Sequence, residues 1–190
     1  MKLTRFALPL AASLAAVALV SCSSPTATTS PSASGSPSAS TGTIDVVAST
    51  NVWGDIAAKV GGDKVNVTSI IDDPDKDPHE YEASAQNQLA LSKAKVVIEN
   101  GGGYDDFVDT MLASAKNTSA TVLNAVTISG KKAAAGEELN EHVWYDFPTV
   151  EKVIDQLQSS YATIDPASAD TFANNAKQLK GSIDALVKKE

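Results

Sequence analysis

The sequence has one cysteine, two histidines, no apolar run long enough to cross a bilayer, and fewer basic than acidic side chains. Each shortage removes a class of protein. A single thiol cannot close an intramolecular disulfide, so the folded part must be held by its core. The longest apolar run, residues 6–20, is 15 residues long and is interrupted by Pro9 and Ser13; a spanning helix needs roughly 20. With 15 Lys and Arg against 23 Asp and Glu, the surface repels nucleic acid and anionic lipid and tolerates or attracts cations. Neither HExxH nor GxSxG occurs, so the common zinc-protease and serine-hydrolase signatures are missing.

What is present begins with an export signal. Lys2 and Arg5 precede the apolar run, and Leu19-Val20-Ser21-Cys22 follows it, the three-part layout of a secretory leader. Cys22 at this point resembles the bacterial lipobox, in which the cysteine thiol is lipidated and becomes the new N-terminus. Residues 1–22 are therefore expected to be a lipoprotein signal that anchors the chain to the cell membrane, extracytoplasmically, through Cys22. Residues 23–42 are almost entirely Ser, Thr, Ala, Pro and Gly and cannot bury enough apolar surface to fold. They read as a disordered tether with a reach of roughly 25 Å. Without Lys2 and Arg5, 13 basic face 23 acidic side chains, a net charge of −10.

Residues 43–190 suit one domain with a substantial core. Strand-like and helix-like patterns alternate along them. Ile44–Ser49 reads as a buried strand, with Asn51 capping a helix over Val52–Val60 that Gly61-Gly62 ends. A second strand covers Lys64–Ile70, and the proline-containing loop Asp72–Pro78 follows. Ser84 opens a helix to about Ala94. Val96-Val97-Ile98 marks a third strand, covered on both faces, and Gly101-Gly102-Gly103 turns into a helix expected over Tyr104–Ala115. Thr121–Val126 reads as a fourth strand and 127–141 as a mobile loop. Thr149–Ala162 is an amphipathic helix, and a last helix starts at Asp165-Pro166. Four strand–helix alternations predict an α/β fold, a four-stranded parallel sheet with helices on both faces. In such sheets ligands bind beyond the carboxyl ends of the strands.

The two histidines fall on that edge. His79 lies in Asp77-Pro78-His79-Glu80-Tyr81-Glu82 after the second strand; His142 lies in Asn140-Glu141-His142-Val143-Trp144-Tyr145-Asp146 after the fourth, 63 positions later. Histidine is the commonest ligand for zinc and suits other transition metals, and nearby carboxylates extend the range toward manganese. Either residue alone would read as a solvated or packed imidazole. Together they make half of a tetrahedral site.

These two motifs, with the Asn100-Gly101-Gly102-Gly103-Tyr104 turn between them, resemble the metal-binding lipoproteins of bacterial ABC importers for zinc and manganese. The resemblance runs from Ile44 to the end of the chain. It implies a solute-binding protein and not an enzyme, with His79 and His142 as metal ligands, Zn²⁺ or Mn²⁺ as transported ligand, and an ABC permease as partner. A monomer is expected, and no organic cofactor. Glu141 stands where the family usually has Pro, and Tyr145 where it has Leu or Met. Ser129–Asn140 carries no histidine, unlike the His-rich loop of several members. The family has two lobes joined by a long helix, with two further ligands in the second lobe. On that plan residues 43–164 are the N-terminal lobe of a periplasmic-binding-protein-like fold and 165–190 begin the inter-lobe helix, so half the site lies past Glu190.

Two other functions compete. One is a secreted metallohydrolase using His79, His142 and a carboxylate such as Glu80 or Asp146, with an open position for water. The other is an acidic surface adhesin without metal. Two further patterns are decoys. The triple glycine lacks the last Gly of a dinucleotide motif, because Asp106 stands there, and the acids beside it oppose a phosphate. Asp72, Asp73, Asp75 and Asp77 are spaced a little like a calcium loop but lack its Gly and terminal Glu.

Overall fold

The computed structural model describes residues 42–189 apart from Pro74 and Ala134. The expected signal, Cys22 and all of the tether except Gly42 lie outside the described residues. Four parallel strands, β1 (Ile44–Thr50), β2 (Val65–Ile71), β3 (Val96–Glu99) and β4 (Thr121–Asn124), pair in the order β2-β1-β3-β4. Val47 faces Thr68 on one side and Val97 on the other, and Val97 faces Val122 in turn.

Alternation along the two central strands divides the interior in two. Val46, Ala48, Val96 and Ile98 point to one face. There they meet Trp53 and Val60 of helix α1 (Asn51–Gly61), and Val153, Leu157 and Tyr161 of the long helix later in the chain. Val47 and Val97 point to the other. They meet Leu91 of α2 (Ala85–Lys93) and Val108 and Met111 of α3 (Phe107–Ala115). The sheet is thus covered on both faces, as its unbroken apolar runs require.

A short helix, α4 (Ala125–Ser129), follows β4 directly; α5 (Phe147–Ile164) and α6 (Ala169–Val187) complete the chain. Several expected boundaries move. Asn51 does not cap α1: Thr50 holds the cap position without a side-chain bond, and Asn51 Nδ2 donates to Asp72 O instead. The third helix starts at Phe107, three residues after Tyr104, because Gly101, Gly102 and Gly103 all have positive φ and carry the turn further. Ala125-Val126 leaves the fourth strand, since Asn124 Oδ1 accepts from Thr127 N and starts α4. Pro166–Ser168 forms a single 3-10 turn before α6. Ser84 does cap α2, accepting from Asn87 N at 3.1 Å.

Candidate metal centre

Asp77 shapes the first histidine loop. Pro78 opens a one-turn 3-10 helix, Pro78–Glu80, and the Asp77 side chain caps it by accepting the His79 backbone N–H. Asp77 Oδ1 lies 2.9 Å from that nitrogen and 2.9 Å from His79 Nδ1. The backbone bond, then the imidazole, holds the Asp77 carboxyl below the usual carboxylate range.

Asn140 repeats the arrangement. Its Oδ1 lies 3.0 Å from His142 N and 2.9 Å from His142 Nδ1. A second one-turn helix, Val143–Tyr145, begins right after His142. Glu141 adds a carboxylate oxygen 3.8 Å from the same Nδ1. Both imidazoles are about half exposed.

Tyr104 stands between the two rings. Its centroid is 5.4 Å from that of His79 and 5.9 Å from that of His142, edge-on to both. Trp144 backs the group, 4.7 Å from Tyr104 and 5.0 Å from His142. Burial, then the nearby Asp105 and Asp77 charges, pushes the Tyr104 phenol above its ordinary value.

The turn that presents Tyr104 is fastened from below. Asp105 is buried and its carboxylate accepts Asn100 N at 2.6 Å and Gly101 N at 2.8 Å. Burial raises the Asp105 carboxyl despite these bonds and the nearby Ser49 hydroxyl. Ser49 Oγ itself is buried with no hydrogen-bond partner among the described residues. Asp105 therefore fills the amide pocket that a phosphate would need. Asn100, fully buried, accepts from Trp53 Nε1 at 3.2 Å and donates to Glu141 O at 2.8 Å. It ties α1 and the end of β3 to the residue before His142.

Among the described residues no three His, Cys, Asp or Glu side chains converge on one point. The carboxylates of the hydrolase alternative differ in use. Asp146 caps α5 through Thr149 N and Thr149 Oγ1 and pairs with Lys131 at 3.1 Å. The Thr149 bond, then Lys131, holds its carboxyl low. Glu80 is exposed on the turn that carries His79. The loop aspartates cap turns as well: Asp73 Oδ1 accepts from Asp75 N, and Asp77 serves His79. In the sequence Asp77, Asn100, Tyr104 and Asn140 stand in the histidine and glycine motifs, and nothing there gives their side chains a part in the site. The signal that could have found two of them is an Asp or Asn two residues before each histidine.

This doubly covered parallel sheet is the α/β fold that solved periplasmic metal-binding proteins share. The chain belongs to the family described as zinc-uptake complex component A, periplasmic (ZnuA), whose model matches residues 46–190. It is 30% identical over 148 residues to the manganese-binding lipoprotein MntA of Bacillus subtilis, covering 76% of this chain and 48% of that protein. Zn(II)-bound AdcA from Streptococcus pneumoniae shares the fold with TM-score 0.66 at 22% identity, over 78% of this chain and 32% of that one. A manganese-bound periplasmic metal-binding protein from Candidatus Liberibacter asiaticus gives TM-score 0.64 at 20% identity, over 73% and 52%. The chain spans about half the length of the curated relatives it matches.

Proposed function

We propose that this chain is the metal-capturing part of an extracytoplasmic solute-binding lipoprotein. It takes up Zn²⁺ or Mn²⁺ and hands the ion to the permease of an ABC importer, with Cys22 as the lipid anchor. The chain acts by coordination and not catalysis, as a monomer. His79 and His142 are the ligands it contributes, through neutral imidazole nitrogens, so protons compete with the ion for them. Residues 43–164 serve as one lobe and 165–190 begin the helix to a second, which supplies the remaining ligands. One observation carries the reading: two histidines 63 positions apart in sequence lie on either side of Tyr104. The carboxyl edge of the sheet is where an α/β lobe receives its ligand. Family membership and the manganese- and zinc-binding relatives support the same ion class.

The test is thermal unfolding with one equivalent of Zn²⁺ or Mn²⁺. A metal that binds only the folded state raises Tm, and His79→Ala or His142→Ala should abolish the shift. No shift with either ion, or a shift that survives both substitutions, would overturn the assignment. Metal-dependent hydrolysis of a model ester that needs both histidines would replace it with the hydrolase.

A further inference from the structure

We infer that Asp77 and Asn140 are positioning residues that hold His79 and His142 in the Nδ1–H tautomer, so that both Nε2 lone pairs face the ion. This rests on the metal-capture reading and deepens it.

The argument starts from one oxygen in each loop. Asp77 Oδ1 receives the His79 backbone N–H, and Asn140 Oδ1 receives that of His142. A backbone N–H cannot donate to an amide NH₂, so the Asn140 atom must be the carbonyl oxygen, an acceptor only. Asp77 Oδ1, which takes the His79 backbone N–H, is by the same argument an acceptor. The same two oxygens lie 2.9 Å from the Nδ1 atoms. An acceptor at hydrogen-bond distance requires the ring nitrogen to carry the proton. A neutral imidazole has one such proton, so Nε2 keeps its lone pair. The Glu141 oxygen, at 3.8 Å from His142 Nδ1, is too far to replace Asn140.

Capping alone does not account for this. A turn needs only the backbone N–H, yet each oxygen also lies 2.9 Å from the ring Nδ1 of the same residue. One acceptor gripping both the backbone and the ring fixes ring orientation as well as tautomer. Two loops unrelated in sequence position build the same device, around the two residues that flank Tyr104. The partners differ in charge. A carboxylate polarises the imidazole more than an amide does, so His79 should be the stronger donor of the pair.

The experiment uses the full chain, ¹⁵N-labelled and metal-free, at mildly alkaline pH. Long-range ¹H–¹⁵N spectra report which ring nitrogen carries the proton. Both histidines should be Nδ1–H. Asp77→Ala should move only His79 toward Nε2–H, and Asn140→Ala only His142. The exchanges Asp77→Asn and Asn140→Asp should restore the tautomer. Zn²⁺ affinity, measured by chelator competition, should fall about 10–100-fold in each alanine variant and recover in the exchanges. If alanine unfolds the chain, serine, which still offers the backbone an acceptor but is one bond shorter, carries the comparison. Nε2–H histidines in the unsubstituted chain, or tautomers indifferent to these substitutions, would overturn the inference. The expected tautomers in a chain that binds neither Zn²⁺ nor Mn²⁺ would instead sink the metal-capture reading and leave the ring positioning intact.

Discussion

Glu99 closes β3 with a carboxyl that is only 5% exposed, and it has acidic company. Burial raises its pKa to about 7; the Asn124 amide, donating at 2.8 Å, opposes that, while Asp109, Asp105 and Asp106 add to it. The folded-state pKa lies above the ordinary 4.5, so the native chain holds this proton more tightly than the unfolded one. Its contribution is intact below about pH 4.5 and is lost as pH rises toward 7; above that the folded state carries a buried charge. Glu99→Gln keeps an acceptor for Asn124 and removes the titration. It should stabilise the chain at pH 8 by on the order of 1–3 kcal/mol in urea unfolding, with the gain vanishing below about pH 4.5. A gain that is constant with pH would refute the assignment. The position of Glu99 on a buried strand could be read from Val96-Val97-Ile98. Its perturbation could not, because Asn124, Asp105 and Asp109 reach it only through strand pairing and the following turn. The same limit hid the ring partners of the histidines. Asp77 and Asn140 are visible two residues upstream, but a shared oxygen is a matter of geometry.

The turn Gly101–Gly103 is the element on which the centre depends, since it carries Tyr104 to the place between the rings. At Gly101 a Cβ would overlap the Asn124 side-chain amide, and φ is +76°. Gly103 also has positive φ, +93°, but a Cβ there meets nothing within 4 Å. Gly101→Ala combines backbone strain with overlap against an amide that also bonds Glu99, and should cost about 2–4 kcal/mol. Gly103→Ala carries the strain alone, about 1–2 kcal/mol. Equal losses for the two in urea denaturation would show that the Asn124 contact is relaxed at no cost. Elements with simple periodicity were readable from the chain: all four strands, the Ser84 cap and the long amphipathic helix. Elements decided by one side chain were not. Thr-Val-Leu-Asn-Ala-Val reads as a continuous strand, and only the Asn124 cap on Thr127 turns its last two residues into α4. As a result His142 follows a helix and a long loop, and not a strand directly. It reaches the centre because Asn100 holds Glu141.

The last helix decides what the lobe consists of. Residues 165–190, proposed above as the start of the inter-lobe helix, also pack on the lobe: α6 sends Phe172, Ala176 and Ile183 into the interior that α1, α5 and the sheet share. Phe172 is fully buried, 5.4 Å from the Tyr161 ring, and Asn175 Nδ2 donates to Val60 O at 3.1 Å. Tyr161 in turn donates to Ala57 O at 3.3 Å, and burial raises its phenol. These contacts make the first half of α6 a structural member of the lobe. Its last turn, where Leu186 and Val187 are exposed, faces outward. A helix that only joined two bodies could lose an aromatic side chain cheaply. One that completes a core cannot, because truncation leaves a cavity against Tyr161 in addition to the lost transfer energy. Phe172→Ala should therefore destabilise the chain by about 3–5 kcal/mol, read as a lower urea midpoint at unchanged slope. Leu186→Ala, at the exposed end, should cost well under about 1 kcal/mol. If Phe172→Ala were as mild as Leu186→Ala, α6 would be a strut resting on a finished core.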